Sequence, residues 1–131
     1  MNTFNLQTAV YNALVADAPL MAIVSGVYDN VPQNTAFPYI SLGEDITTPY
    51  DTDTFTGSSN LLTFHVWTRE SGSKEAKEIM GIIYGILNRN ILTVTDADTV
   101  DLLFITQTTT LDPDNITNHG FIQFRATLVN S

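Results

Sequence analysis

The stretch that decides the fold is LLTFHVWTRESGSKEAKEIMGIIYGIL, residues 61–87. In its first part Leu62, Phe64 and Val66 alternate with more polar side chains. This alternation predicts a strand with one buried face and one face that is partly exposed to solvent. Its second part places apolar side chains at helical spacing, on one stripe of a helix. The members of this stripe are Ala76, Ile79, Met80, Ile83, Ile86 and Leu87. The stretch therefore predicts a strand joined to a helix that covers it.

The residues at this joint, Gly72, Ser73 and Lys74, also resemble part of a phosphate-binding loop. A loop of the Walker type needs a glycine, four residues, and then Gly-Lys-Ser/Thr, so that backbone amides wrap the phosphate. The segment ESGSKEA has neither the first glycine nor a hydroxyl after the lysine. Ser73 as a helix cap, with Glu75 in the first turn, accounts for the same residues. We predict a structural joint and no nucleotide site.

The remaining segments complete the fold prediction. An earlier helix is indicated by apolar residues at helical spacing between Phe4 and Leu14, and further strands are predicted at 39–42, 91–94, 100–108 and 121–129. This order predicts an α+β fold, with a single mainly antiparallel β-sheet and two α-helices packed on one face. We expect one domain over residues 1–131, with a long polar loop or β-arm at about 44–60.

Two glycines interrupt the apolar stripe of the second helix. Gly81 and Gly85 lie one turn apart, and each costs about 1 kcal/mol of helix stability relative to Ala. Close approach of another helix or of the sheet would explain that cost. We therefore expect a tight helix contact at these two positions.

The composition excludes several classes of function. The 131 residues include 14 acidic and five basic ones, for a net charge of −9, and no cysteine. This charge repels nucleic acid and anionic lipid, so DNA is expected only as passing cargo. The lack of cysteine excludes disulfides and thiolate chemistry. No apolar run reaches the roughly 20 residues of a membrane span, and no signal peptide is evident, so we expect a protein made in the cytosol without a membrane partner.

No pattern of residues predicts an active site. The acidic segment 51–57 lacks the side chains that an EF-hand loop requires at its fifth, sixth and twelfth positions. Asp112, Asp114 and His119 have no marked nucleophile or oxyanion stabiliser, and His65 on a strand face is interpreted as a structural histidine. We predict no enzyme, no cofactor, and no catalytic, cofactor-binding or metal-binding residues.

Five charged residues are candidates for contacts with other protein chains. Arg69 and Arg125 are two of only five cations, so we expect them to pair with carboxylates in the fold or across a subunit contact. Asp45, Asp51 and Asp53 lie in the polar stretch 44–60, which is available for contacts. These five are the predicted interaction residues.

Four blocks of the sequence together resemble a known family. They are GVYDNVPQNTAFPYISLGED at 26–45, LTFHVWTR at 62–69, KEAKEIMGIIYGIL at 74–87 and DPDNITNHGFIQFRA at 112–126. Their order and spacing, from about Leu6 to Leu128, resemble the phage tail-completion or tail-terminator family, which is also found in prophages and gene transfer agents. The matching residues are Gly26, Val27, Tyr28, Asp29, Pro32, Phe37, Pro38, Tyr39, Gly43, His65, Trp67, Arg69, Glu75, Ala76, Lys77, Asp112, Thr117, His119, Gly120, Phe124 and Arg125.

The resemblance implies a small α+β subunit without an active site that assembles into a ring, expected to be a hexamer, at the head-proximal end of a long non-contractile tail. In this family the ring ends tail-tube polymerisation and offers the surface to which the filled head attaches. The implied partners are further copies of the chain, the tail-tube protein and a head-completion or connector protein. The implied location is the virion, after assembly in the host cytoplasm. Three alternatives stay open: a head–tail connector or neck adaptor that binds the portal side, a non-viral interaction domain, and an enzyme of unrecognised kind.

Overall fold

The computed structural model describes residues 3–51, 54–69 and 72–129, without the side chain of Val100, and these residues form three helices and five strands. In chain order they are α1 (Thr3–Val15), α2 (Ala18–Met21), β1 (Val27–Tyr28), β2 (Tyr39–Pro49), β3 (Gly57–Thr68), α3 (Lys74–Leu87), β4 (Asp98–Leu111) and β5 (Asn118–Val129). The strand and the helix predicted within 61–87 are both observed, as β3 and α3.

The strands form one sheet in the order β1-β2-β3-β5-β4. β1 pairs with β2 in parallel, and the other neighbouring strands pair antiparallel. β3 is the central strand and pairs with β5 along its length, from Gly57 opposite Val129 to Thr68 opposite Asn118. The architecture is thus a mainly antiparallel sheet with a few helices, which fits the predicted α+β class.

The polar stretch 44–60 largely belongs to this sheet. Residues 45–49 of β2 pair with residues 58–62 of β3, after a shift of register between Leu42 and Asp45. The chain reverses direction between Pro49 and Gly57, where the Tyr50 N–H donates to the Gly57 carbonyl at 2.9 Å. Glu44 and Asp45 are therefore presented from β2, and Asp51 from the turn that follows it.

The core combines buried side chains of the helices with those at the inward positions of the strands. α3 buries a stripe against β3, β4 and β5, and α1 buries its own stripe and contacts α3. The helices contribute Leu6, Val10, Leu14, Ala76, Ile79, Met80, Ile83 and Leu87. The long strands contribute Ile40, Leu62, Phe64, Val66, Leu102, Ile122, Phe124, Ala126 and Leu128. Burial of each large apolar side chain stabilises the fold by about 1.5–3 kcal/mol.

Two predictions for α3 and the segment after it are wrong. Apart from the adjoining residues and backbone of α3 itself, no atom of the described residues lies within 4 Å of a Cβ built on Gly81 or Gly85, so the expected tight helix contact is not there. The predicted strand at 91–94 is replaced by an isolated bridge between Val94 and Ala97. The chain turns between them, and Asp96 adopts a φ of 65°.

The joint between β3 and α3 depends on a glycine. Gly72 adopts a φ of 81°, a conformation that side-chain-bearing residues rarely adopt. Ser73 precedes the first helical residue as predicted, but its side chain makes no capping hydrogen bond to a described residue. Asn118 Nδ2 donates to the Gly72 carbonyl at 2.9 Å, which ties the joint to β5.

Candidate interaction surface

A band of aromatic side chains crosses the outer face of the sheet, opposite the core. We call Tyr28, Tyr39, Trp67, His119 and His65 the aromatic band. The register places Tyr39 opposite Trp67 and Trp67 opposite His119, so their rings meet across three strands. The Trp67 and His119 rings stack at 3.9 Å with an interplanar angle of 7°, and the Tyr39 ring lies 6.4 Å from that of Trp67. Each such pair contributes about 0.5–1.5 kcal/mol beyond its buried area.

β2 holds the band in position from one side. Trp67 Nε1 donates to Ser41 Oγ at 3.0 Å. A Cβ on Gly43 would lie 2.6 Å from His65 Nε2 and 3.1 Å from the Thr63 carbonyl oxygen. Only a glycine therefore leaves room for the His65 ring at this position.

The two histidines form a close pair at one end of the band. His65 Nδ1 lies 2.6 Å from His119 Nε2, so one nitrogen donates and the other accepts. Glu44 Oε2 lies 3.6 Å from His65 Nε2, and the Glu44 backbone N–H and then the His65 ring lower the pKa of the Glu44 carboxyl. Burial lowers the pKa of His119, His65 lowers it further, and Asp112 acts in the opposite direction. His119 is therefore held as the neutral ring.

The lowered pKa of His119 predicts a loss of stability in mild acid. Below the usual histidine value of 6.5 the unfolded chain binds a proton at this site that the folded protein does not. The free energy of unfolding should thus fall as the pH falls from 6.5 toward the folded pKa, by at most about 1.4 kcal/mol per pH unit. Urea unfolding between pH 7.5 and 5 measures this slope, and His119→Gln should flatten it. An equal slope in the variant would contradict the assignment.

Arg69 lies beside the band in a second cluster. Its guanidinium carbon is 4.3 Å from the centroid of the Phe37 ring, and its Nε donates to Thr117 Oγ1 at 3.3 Å. Thr117 in turn donates its hydroxyl and its backbone N–H to Asp114, at 2.7 and 2.8 Å. Hydrogen bonds from the Thr117 and Ile116 backbone and from the Thr117 hydroxyl lower the pKa of Asp114 to about 2. The Asp114 carboxylate thus fixes the hydroxyl that orients Arg69, and the charge of Arg69 also contributes to the lowered pKa of Asp114.

An open cleft of about 450 Å³ adjoins this cluster. Its lining residues are Val31, Pro32, Asn34, Thr35, Phe37, Tyr39 and Arg69. The cleft therefore combines an aromatic wall, polar side chains and one oriented cation. Such a combination favours a carboxylate-bearing partner.

The structure places the five predicted interaction residues in different regions. Arg69 lies at the cleft, whereas Arg125 is exposed on β5 opposite Leu61 and Leu103. Asp45 is exposed on β2, and Asp51 accepts the Gly57 N–H at 3.1 Å. Asp53 lies outside the described residues.

Within residues 3–51, 54–69 and 72–129, the direct ion pairs expected for the two arginines are not observed. Among the described residues, the ion pairs join His65 to Glu44 and Lys74 to Glu78. Arg69 instead stacks on Phe37 and bonds to Thr117. The alternative of pairing across a subunit contact remains.

The aromatic band was missed as a unit by sequence reasoning. His65 and Trp67 lie on the same face of the predicted strand, but His119 was considered together with Asp112 and Asp114. The signal that links them is the strand register, which the local pattern does not contain. All five members of the band are nevertheless residues that carry the family resemblance.

Over residues 3–51, 54–69 and 72–129, no group of three or more His, Asp or Glu side chains could hold a metal ion. None of the helices in that part of the chain is long and apolar enough to cross a membrane.

Fold and surface together define a class: a small α+β protein whose outer sheet face carries a band of aromatic side chains with an arginine beside it. Residues 8–128 match the family described as tail completion protein gp17, so the chain belongs to this family of phage tail proteins. Members of this family are structural components of the virion.

Individual relatives agree with the family. The chain is 28% identical over 126 residues to tail completion protein gp17 of Bacillus phage SPP1, across 96% of this chain and 93% of that protein. A chain from the virion of a native gene transfer agent particle is 28% identical and superposes with a TM-score of 0.88 over 95% of both chains. The solved bacteriophage SPP1 gp17 protein is 29% identical, with a TM-score of 0.63 over 93% of this chain and 87% of that one.

Proposed function

We propose that the protein forms a ring of six subunits at the head-proximal end of a phage or gene-transfer-agent tail. There the ring ends tail-tube polymerisation and provides the surface to which the head joins, after assembly in the host cytoplasm. The observation that carries this proposal is the similarity to a chain of the gene transfer agent virion, with a TM-score of 0.88 over 95% of both chains. Agreement over nearly the whole chain is what a shared role in a particle requires.

A ring needs two different contact surfaces on each subunit, because its interfaces are heterologous. The subunit offers surfaces at opposite ends of β3. Arg69 and its cleft lie beyond Thr68, and the turn after β2 lies at Gly57. Since β3 has 12 residues, at roughly 3.3 Å each these surfaces are roughly 35–40 Å apart. This separation supports head-to-tail contacts between neighbouring subunits.

We also propose that α1 and α3 both lie on the core side of the sheet. Their buried stripes belong to one cluster with the inward side chains of β3 and β5. The outer face, with the aromatic band, is then free for contacts between protein chains. Exposed and half-buried aromatic side chains are typical anchors of such contacts.

The acidic residues of the stretch 44–60 are proposed to face the ring lumen or the tube protein. Asp45 and Asp51 are exposed, and the net charge of −9 repels DNA that passes through the lumen. The triple variant Asp45→Asn, Asp51→Asn and Asp53→Asn tests this role, because asparagine keeps the oxygen that accepts the Gly57 N–H. Unchanged ring formation and unchanged tail joining would end this part of the proposal.

The capping function is tested with polymerising tail-tube protein. Addition of the purified chain should give shorter tubes that carry extra density at one end in negative-stain images. Light scattering over a concentration series should show whether the chain closes into a ring alone or on the tube end. A small acidic protein of unrelated fold is the control. Tubes of unchanged length, together with binding to portal preparations, would contradict the proposal and favour the connector alternative.

A further inference from the structure

The few cations of this acidic chain are concentrated at one end of the subunit. Arg69 directly follows β3, and Lys74 and Lys77 lie in the first turn of α3. The hydrogen bond from Asn118 to the Gly72 carbonyl holds this joint against the end of β5. Three of the five cations thus lie around the end of the sheet at which the cleft opens.

Arg69 is oriented at this end and forms no direct ion pair with a described residue, although its charge and that of Asp114 attract each other. Phe37 supports its plane, and Thr117 accepts from its Nε. The side chain is exposed and lines the cleft, and no carboxylate of the described residues forms an ion pair with it. An arginine held in one orientation loses little conformational freedom when it binds a carboxylate.

The opposite end of the sheet presents acidic side chains. Asp98 begins β4 opposite Val129, which is also the partner of Gly57. Asp96 and Asp98 are both exposed, and Asn5 Nδ2 holds their turn by donating to the Thr95 carbonyl at 3.0 Å. The length of β3, 12 residues, keeps this turn roughly 35–40 Å from Arg69 of the same subunit. The turn and the cleft can therefore meet only between two subunits.

We propose that the cleft beside Arg69 binds the acidic turn 95–98 of a second copy of this chain, so that Arg69 pairs with Asp96 and Asp98 of the partner subunit. This inference rests on the proposed ring and specifies the contact that closes it. Two copies with a charge of −9 each repel one another unless opposite charges meet where they touch. The cleft and the turn provide complementary charges at opposite ends, as a heterologous contact requires.

A charge exchange tests the contact. Arg69→Glu should weaken self-association by about 30-fold or more, and the paired change Asp96→Asn with Asp98→Lys should weaken it similarly. Asparagine is used at position 96 because it tolerates the φ of 65°. All three changes in one chain should restore most of the association, because each contact then joins Glu to Lys.

Self-association is measured by sedimentation over a concentration series, and by occupancy of tail-tube ends, with urea midpoints to confirm that each variant is folded. If Arg69→Glu assembles normally while tubes are still capped, the inference is wrong and the proposed function stands. If Arg69→Glu loses only tube binding, the cleft binds another protein and the second copy is excluded as its occupant. If the unmodified chain neither associates nor caps tubes, the proposed function itself fails.

Discussion

Replacement of Phe124 by Ala should lower the free energy of unfolding by about 3–5 kcal/mol. Phe124 is fully buried at the centre of the sheet, and its ring meets those of Phe64 and Phe104 edge-on, each at 6.0 Å. Alanine removes both aromatic contacts and leaves a cavity that three neighbouring strands cannot close. Urea unfolding at pH 7.5 measures the loss, which is a large part of the roughly 5–15 kcal/mol typical of a domain.

Phe121 on the same strand is the matched control. It points to the outer face, where it is half-buried opposite His65 and Thr108. Phe121→Ala removes the same atoms without opening the core, and we expect a loss below about 1.5 kcal/mol. Equal losses for the two variants would show that the two faces of β5 do not differ in packing as the structure describes.

Gly57→Ala should cost about 2–3 kcal/mol, because the added methyl group meets backbone atoms on two sides. A Cβ at this position would lie 2.6 Å from the Tyr50 carbonyl oxygen and 2.7 Å from the Leu128 carbonyl oxygen. Tyr50 lies in the turn after β2, and Leu128 lies near the end of β5. To make room for the methyl group, either this turn or β5 must move away from β3. The urea midpoint should fall accordingly.

Gly81→Ala is the control, for which we expect a change in the free energy of unfolding of the opposite sign. Apart from the adjoining residues and backbone of α3, no described atom lies within 4 Å of a Cβ built there, and the residue is exposed. Alanine should therefore stabilise the protein by about 0.4–1 kcal/mol, since it lowers the conformational entropy of the unfolded chain and has a higher helix propensity than glycine. A loss of stability at Gly81, or none at Gly57, would contradict the packing described for these two glycines.

The helix α3 shows which structural features the spacing of apolar residues can predict by itself. Its predicted apolar stripe, Ala76 to Leu87, is the stripe that the structure buries, with Ile86 partly exposed. The helical period is a local property, and a sheet accepts any such stripe of sufficient width. The prediction of a tight contact at Gly81 was wrong, because the pattern of one helix does not show which residues pack against a given position.

The candidate surface depended on contacts between distant parts of the chain. His65 and His119 are 54 residues apart, yet their ring nitrogens are 2.6 Å apart. The scarcity of cations singled out Arg69 in the sequence. Its contacts with Phe37 and Thr117 were not predicted. A shift of the register by one residue would turn each of these side chains to the other face, so no local pattern could assign their partners.

The amino-acid sequence by itself determined the α+β class, the positions of the main strands and helices, and the family, because periodicity and the order of motifs are local properties of the chain. The tertiary structure alone decided which outward side chains meet. The register of β3 between β2 and β5 assembles the aromatic band, and the strand length sets the cleft and the acidic turn at opposite ends. The register of β3 is determined by the packing of the whole core. The local sequence permits several registers, and the free energy of burying apolar side chains selects one of them.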